Sequence, residues 1–398
     1  MTARFIPGLE LASLYYADVV RPLLDEEFSG LRYTAALIGP GSDVLGFDGQ
    51  RSTDHGWGPR LQLFLPDADD AADLCARVSD LLTARLPAEF RGYRTVFPKS
   101  SAPGAPPSHW VTVAGLRQWL SGALGFDPTL PIGLSDWLSA PTQVLAEITG
   151  GEVFHDGLGD DDGNGSHDRN GSHDSHGSHD SDGRQDNTNR ASGLGAVRAA
   201  LAWYPRDIWL HVMACQWQRI EQEEAFPGRC AEAGDDLGSA VVTARLVRDL
   251  MRLVLLMQRR YPPYSKWLGT AVARTAAADQ LLPSLTAAVS AASWPDRERA
   301  LSAAYETAAR LHNATGVTPP LDPAVRPTYY DRPFAVPDAG RFVRALRDQI
   351  SVEEVRELPL IGAVDQFIDS TDAIGDSALR RSAVRSSVVG GHRRQGSA

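Results

Sequence analysis

Cysteine is scarce in this sequence, and long apolar runs are missing from it. The three cysteines, Cys75, Cys215 and Cys230, lie far apart and lack metal-ligand spacing, and their odd number argues against a disulfide framework. No segment approaches the roughly 20 apolar residues that a membrane-spanning helix needs. Residues 1–7 also lack the apolar stretch of a secretory signal. The sequence therefore predicts a cytoplasmic protein that has no membrane partner.

Positive charge is in short supply as well. The 398 residues carry 39 Lys and Arg against 50 Asp and Glu, which gives a formal net charge of −11. Because a broad nucleic-acid surface needs a basic face, this balance disfavours one. A small nucleotide held by a few local Arg and Lys side chains is still compatible with it. Lysine is scarce while Ala, Arg, Gly and Asp are abundant, a composition typical of a high-GC bacterial genome.

Several familiar catalytic strings are absent. The sequence contains no Gly-x-Ser-x-Gly, His-Glu-x-x-His, paired Cys-x-x-Cys or P-loop string. Hydrolases of the nucleophile-elbow type, zinc proteases and P-loop ATPases therefore have no support in the sequence.

The strongest functional signal is a Gly-Ser turn between two apolar segments. Residues 33–38 are apolar and lead into Gly41 and Ser42, whose backbone N–H groups can face a phosphate. Asp54 follows, and we expect it to open a second strand beside the turn. This order of parts is typical of phosphoryl and nucleotidyl transfer. The alternative is an ordinary strand-to-helix turn, with Asp54 as a cap or a solvated side chain.

Asp54 is the candidate catalytic and Mg²⁺-binding residue. Residues i and i+2 of a strand point to the same face, so an Asp-x-Asp pair can hold one or two Mg²⁺ ions there. This chain reads Asp54-His55-Gly56. Glycine supplies no ligand, and His55 would point to the opposite face of the strand. We therefore expect weak Mg²⁺ binding and slow or absent transfer.

Six strings spread over the chain carry a family resemblance. They are GSDVLGFD at residues 41–48, DHGWGPR at 54–60, GEVFHD at 151–156, WYPRD at 203–207, YSKWLG at 264–269 and GAVDQF at 362–367. Together they resemble an uncharacterised bacterial family, domain of unknown function 4037, which is similar to a branch of the nucleotidyltransferase superfamily. The resemblance implies an aspartate where this chain has Gly56 and an acidic residue near Thr112. The implied metal-binding motif is therefore degenerate.

The predicted fold class is α+β, a nucleotidyltransferase-like α/β domain with a small mixed sheet, followed by an all-helical bundle domain. Residues 1–156 are assigned to the α/β domain and residues 196–381 to the bundle. Within the first domain the apolar pattern predicts strands at 33–38, 61–65 and 110–113 and a helix at 67–86.

Two segments are expected to stay outside these domains. Residues 157–195 repeat Gly-Ser-His-Asp and have too few apolar side chains to fold, so we predict a disordered insertion. Its histidines lie among aspartates and could chelate a metal, but a tract without fixed geometry favours no metal role. Residues 382–398 are rich in Ser, Arg and Gly and are predicted to be a flexible tail.

Further candidate nucleotide-binding residues carry positive charge or an aromatic ring. They are Arg60, Arg245, Arg248, Arg252, Tyr264 and Lys266. The three arginines of the bundle fall at i, i+3 and i+7 of one helix, so they share a face. Facing the sheet they would clamp a triphosphate, and facing water they would be a solvated stripe. Tyr264 and Lys266 follow two prolines at a rigid helix start, where they can stack on a base and meet a phosphate.

Other acidic and histidine residues give weaker signals. His155 and Asp156 close an apparent strand and could act as acid and base, although such a pair is more often structural. Glu147 gives a weaker signal still.

Two classes of function follow from these observations. The first is an enzyme that transfers a nucleoside monophosphate from a nucleoside triphosphate to an acceptor that the sequence does not identify, with Mg²⁺ as cofactor. The second is a catalytically inactive homologue that binds a nucleotide and regulates or scaffolds. Gly56 favours the second class, whereas the intact string around it favours the first.

Overall fold

A computed structural model describes residues 5–54, 56–68, 70–98, 107–159 and 193–394 of the chain. Within them, a small mixed sheet lies in the first part of the sequence, and helices make up most of the remainder. The predicted combination of a mixed α/β part and a helical C-terminal part is thereby confirmed. His55 and most of the predicted insertion, residues 160–192, lie outside the described residues.

The main sheet is four-stranded and mixed. The strands of the chain are β1 (Thr34–Leu37), β2 (Leu61–Leu65), β3 (Glu89–Phe90), β4 (Tyr93–Arg94), β5 (Val96–Pro98), β6 (Pro107–His109), β7 (Val111–Gly115) and β8 (Glu152–Asp156). The sheet order is β7-β2-β1-β8, in which β1 is antiparallel to both of its neighbours and β2 is parallel to β7. The strand segments expected from the apolar pattern correspond to β1, β2 and β7.

Helices surround the sheet and build the rest of the molecule. The helices before the insertion are α1 (Gly8–Tyr15), α2 (Arg21–Glu27), α3 (Ala71–Arg85), α4 (Leu116–Leu124), α5 (Leu134–Ser139) and α6 (Thr142–Thr149). Those after it are α7 (Gly193–Ala200), α8 (Arg206–Glu223), α9 (Phe226–Glu232), α10 (Asp236–Met257), α11 (Leu268–Ala273), α12 (Ala278–Ser290), α13 (Trp294–Ala314), α14 (Gly340–Arg347), α15 (Glu353–Arg356), α16 (Val364–Phe367), α17 (Thr371–Gly375) and α18 (Ser377–Arg394). A π-helical turn, Tyr16–Val20, joins α1 to α2, and 3₁₀ segments span Gln50–Asp54 and Ser265–Trp267.

Both faces of the central strands are buried. Side chains alternate along a strand, so Leu63 and Leu65 of β2 pack in one apolar cluster with Val78 of α3. Phe64 points to the opposite face, where it belongs to a larger cluster with Leu120 of α4. That larger cluster continues through the helices after the insertion. One apolar core therefore connects the sheet to the helical part.

The end of the chain differs from the sequence prediction. Residues 382–394, expected to be part of a flexible tail, continue helix α18. Arg380 explains the start of this helix, because it is 1% exposed and donates to the carbonyls of Ile374 and Ala123. Val384 is buried one turn later. Two buried side chains on one helical face thus anchor a segment whose composition alone suggests a tail.

Among the described residues, no helix combines the length and the apolarity required to cross a membrane.

Candidate functional site

A cleft of about 440 Å³ opens where the turn after β1 meets the helical part. Its first wall is the turn at residues 40–43, and its second is formed by Arg51, Ser52, Gly56 and Trp57. The third wall comes from the distant 3₁₀ segment Ser265–Trp267 with the preceding Tyr264. The structure thus brings together Gly41, Ser42, Tyr264 and Lys266, four of the residues predicted from the sequence to bind a nucleotide.

A buried ion pair holds the turn in shape. Asp43 is 2% exposed, and its two carboxylate oxygens lie 2.6 Å from Nη2 and 3.1 Å from Nε of Arg60. Arg60 also donates from Nη2 to the carbonyl of Pro40 at 3.0 Å. A Cβ atom on Gly41 would collide with both members of this pair, so a larger residue at this position would displace the Asp43–Arg60 pair. Arg60 is therefore engaged in fixing the turn, and direct contact of Arg60 with a phosphate stays a prediction.

The turn has backbone donors without a partner at two residues that line the cleft. The carbonyl of Ser42 accepts from Phe47 N at 2.7 Å, and that of Asp43 accepts from Gly46 N at 2.9 Å. Among the described residues, the structure shows no hydrogen-bond acceptor for the amides of Gly41 and Ser42 and no partner for the Ser42 hydroxyl. Backbone N–H groups in such a turn bind anions well.

Two cations complete the electrostatics of the cleft. Lys266, one of only two lysines in the sequence, is exposed and lies with Nζ 5.0 Å from the ring centre of Trp267. Arg51 is exposed on the opposite wall. Within the part of the chain that the structure describes, neither side chain forms an ion pair. Both charges are therefore free to meet an anion.

Aromatic rings supply the remaining surface. The hydroxyl of Tyr264 accepts a hydrogen bond of 2.7 Å from Nε1 of Trp267, while Nε1 of Trp57 donates to Asp48 at 2.9 Å. Burial raises the pKa of Tyr264, the Trp267 hydrogen bond opposes this, and the nearby carboxylates of Glu147 and Asp43 raise it further. Trp57 is buried and stacks on Phe5, whereas the half-buried rings of Tyr264 and Trp267 present faces on which a base can stack.

Glu147 lies behind the turn and was a weak candidate from the sequence. It is 6% exposed on α6, and its backbone carbonyl accepts from Gly39 N at 2.9 Å. Burial raises the pKa of Glu147 to about 7, and the positive charge of Arg60 opposes the shift. A sequence signal did exist, since Glu147 stands between the apolar Leu145 and Ile148, but its position beside Arg60 could be seen only in the structure.

The predicted strand position of Asp54 is wrong. Asp54 ends a 3₁₀ segment, and β2 begins only at Leu61. Gly56 has a φ of 64°, which is incompatible with extended strand geometry. The rule that places residues i and i+2 on one strand face therefore does not apply here. The side chain of Asp54 lies outside the described part of the structure, so its roles in catalysis and Mg²⁺ binding stay predictions.

The donor set described around the cleft does not fit a two-metal site. Asp43 is paired with Arg60, and one Asp48 oxygen accepts from both Gly8 N and Trp57 Nε1. Gly56 has no ligand atom to offer. No group of three or more His, Cys, Asp or Glu side chains positioned for a metal occurs among the described residues.

The three arginines of α10 do not line this cleft. Arg245, Arg248 and Arg252 share one helix face, as their spacing predicts, but they line a separate pocket with Arg219 and residues 365–369. The expected clamp across from Gly41 and Ser42 is therefore not formed by these side chains. Helical spacing predicts that the three arginines share one face of α10, but it does not predict which part of the molecule that face contacts.

His155 and Asp156, at the end of β8, do not line the cleft. One Asp156 oxygen accepts from Thr34 Oγ1 at 2.6 Å, and the other accepts from Gly195 N at 2.9 Å. The ring of His155 packs 4.8 Å from that of Tyr33. Both residues thus fasten β8 to its neighbours.

Comparison with known proteins identifies one related segment. Residues 187–268 match the model of the family described as Domain of unknown function (DUF4037). No curated protein and no solved structure matches the chain. The matched segment contains Tyr264, Lys266 and Trp267, the third wall of the cleft. The resemblance to this uncharacterised family is confirmed over that segment, whereas the likeness to nucleotidyltransferases stays a prediction.

Proposed function

We propose that the cleft binds the phosphate chain of a nucleoside triphosphate, and that this binding is the main role of the site. One observation supports the proposal above others. The amides of Gly41 and Ser42 and the side chains of Arg51 and Lys266 line one cleft of about 440 Å³. In the described part of the chain these donors and cations have no acceptor or acidic partner. A phosphate chain supplies both the negative charge and the acceptor oxygens that they require.

The aromatic walls suit the base of the same ligand. Trp57, Tyr264 and Trp267 line the cleft beside the cations. Stacking of a base on an aromatic face stabilises binding by about 1 to 3 kcal/mol and accepts any base. The cleft therefore supports a nucleotide as the ligand class without selecting among the four common bases.

Nucleotidyl transfer is a second candidate function. It is favoured by the position of Asp54, which lies in the chain between Ser52 and Gly56, two residues of the cleft wall. The enzyme would transfer a nucleoside monophosphate to an unidentified acceptor, and we propose that Mg²⁺ binds weakly, with Asp54 as its one carboxylate ligand from this loop. Because the other loop carboxylates are engaged, we derive no reaction step through the metal.

Calorimetry with ATP, GTP, CTP and UTP, each with and without Mg²⁺, tests the proposed function. We expect triphosphates to bind more tightly than the corresponding nucleosides, because the unpaired donors of the cleft would form hydrogen bonds with phosphate oxygens. Equal affinity for nucleoside and triphosphate, or no binding of any of the four, would contradict the proposal.

A pyrophosphate-release assay tests the transfer candidate separately. Slow release that disappears in Asp54→Ala would support transfer at this site. Rapid Mg²⁺-dependent release that survives the same substitution would exclude Asp54 from the chemistry.

A further inference from the structure

A second concave site lies in the helical part of the molecule. It has a volume of about 320 Å³ and is lined by Arg219 of α8, by Arg245, Arg248 and Arg252 of α10 and by residues 365–369. We call it the arginine pocket. None of its lining residues lines the cleft described above. Volumes of this size are ordinary for small-molecule sites.

Two of the arginines hold the pocket wall through neutral groups. Arg219 donates from Nη1 to the carbonyl of Gln366 at 2.6 Å, and Arg252 donates from Nη1 to the carbonyl of Asp365 at 2.6 Å. Their distances to carboxylates are longer, at 3.4 Å from Arg219 Nε to Asp249 and 3.8 Å from Arg252 Nη2 to Asp365. Charge-assisted pairs are usually about 2.7 to 2.9 Å long. Arg219 donates to both carboxylate oxygens of buried Asp249, at 3.4 and 3.5 Å, so its charge is partly neutralised, whereas Arg252 is held mainly by a neutral carbonyl.

Arg248 is the least compensated cation of the pocket. Its nearest carboxylate is that of Asp369, 3.6 Å away, and the Asp369 side chain is 84% exposed. Its Nε is buried and has no hydrogen-bond partner among the described residues. Arg245 differs, because it pairs with Glu223 at 2.7 Å. At Arg248 an anion would compete with the solvated carboxylate of Asp369, while the buried carboxylate of Asp365, which also lines the pocket, stays beside Arg252.

We propose that the arginine pocket binds a phosphate group, either free or carried as a monoester by a small molecule, with Arg248 as its main ligand. The guanidinium group presents several N–H donors in a planar fork that matches phosphate oxygens. A doubly charged phosphate displaces the weakly held Asp369 carboxylate from Arg248. The concave shape and the net charge of −11 select a small ligand over a nucleic acid.

The pocket is connected to the first cleft through a single helix. Thr142, at the start of α6, donates from Oγ1 to Asp365 Oδ2 at 2.6 Å, and Glu147 on the same helix accepts from Gly39 N through its carbonyl. Five residues of α-helix rise by about 7.5 Å. The two sites have no lining residue in common, so the proposed phosphate site can be tested separately from the proposed nucleotide site.

Calorimetric titration of the full chain with inorganic phosphate tests this proposal. Arg248→Gln should weaken phosphate binding by about tenfold or more, because a charge-assisted contact is lost. Arg299→Gln is the matched control: it removes an exposed helical arginine whose partner, Asp296, lies 2.9 Å away and outside the pocket. Lys266→Gln changes the first cleft and should leave intact the phosphate binding that Arg248→Gln weakens.

A second variant keeps the test decisive if Arg248→Gln perturbs the pocket wall. Asp369→Asn removes the exposed competing carboxylate and should tighten phosphate binding a few-fold, whereas Asp372→Asn, an equal charge change nearby, should not. Glycerol phosphate in place of inorganic phosphate distinguishes the sources: tighter binding identifies a monoester, and weaker binding identifies free phosphate.

Three results would overturn the proposal. They are no phosphate binding up to about 10 mM, equal affinity in Arg248→Gln and the unmodified protein, and loss of binding in Lys266→Gln alone. The last would place the anion in the first cleft. Nucleotide affinity measured on the same proteins reports separately on the proposed function.

Discussion

At the scale of single residues, the pair formed by Asp43 and Arg60 determines the shape of the turn that lines the cleft. The Asp43 side chain is 1% exposed and that of Arg60 is 14% exposed, so removing one charge leaves the other buried and unpaired. Asp43→Asn should therefore lower the free energy of unfolding by about 3 to 5 kcal/mol. Urea denaturation measures the change.

The exposed pair of Arg21 and Asp25, 3.6 Å apart on α2, is the control for this prediction. Asp25→Asn should cost less than about 1 kcal/mol, because solvent screens an exposed pair. Equal effects of the two substitutions would show that the Asp43 pair does not organise the turn.

Glu147 makes the stability of the folded protein depend on pH. Burial raises its pKa from 4.5 to about 7, so the folded state binds a proton that the unfolded state has released. Stability from this group is present below pH 4.5 and is lost as the pH rises through about 7. The glutamine of Glu147→Gln cannot titrate. The difference in free energy of unfolding between this variant and the unmodified protein should therefore shift by about 2 to 3 kcal/mol in favour of the variant between pH 5 and pH 8.

Urea denaturation across that pH range measures the difference. Glu224, whose pKa burial raises to about 8, is present in both proteins and cancels in the comparison. A pH-independent difference between Glu147→Gln and the unmodified protein would show that Glu147 titrates normally in the folded state.

At the scale of elements, apolar runs made β1 and β2 predictable, because every residue of these strands is buried. The helix α3 was predictable from its helical spacing, which places Val78 and Leu82 on one buried face. The strand start at Asp54 failed for a local reason. Gly56 adopts a positive φ and Pro59 lacks an N–H donor, so the ladder of β2 begins only after them. In the candidate site, the turn could be predicted from local sequence. The position of Glu147 beside Gly39 and Arg60 joins residues far apart in the chain, so it could not be predicted in that way.

The conformation of Gly56 changes what a restored aspartate would do. At a φ of 64° an L-residue is strained, so Gly56→Asp should destabilise the protein by about 1 kcal/mol and should not create a strand pair for Mg²⁺. Gly49→Asp is the matched control, since Gly49 lies in the same loop, has open space around it and lacks a positive φ. Thermal denaturation of both variants distinguishes strain from added charge. Equal melting temperatures would contradict this account of position 56.

At the scale of the whole molecule, the chain on either side of residues 160–192 meets. A Cβ atom built on Gly193 would lie 2.5 Å from Cα of Gly159, and Gly195 N donates to Asp156. The two flanks are thus already adjacent. Deleting residues 160–190 and joining the flanks with a short linker should leave the melting temperature within a few degrees.

The same deletion removes eight Asp and three Arg, so the formal net charge changes by +5, and solubility can shift without loss of folding. Scanning calorimetry of the two chains makes the comparison. A large drop in melting temperature would show that the segment contributes to the core.

The central claim is that the turn at residues 40–43 and the segment carrying Lys266 together hold a phosphate chain. Isothermal titration of ATP into the unmodified protein, Lys266→Gln and Arg385→Gln tests it most directly, because Arg385 is an exposed cation of α18 remote from the cleft lining. We predict that Lys266→Gln weakens ATP binding by about tenfold, as expected for one lost charge-assisted contact, while Arg385→Gln binds like the unmodified protein. Equal affinity in all three proteins would contradict the claim.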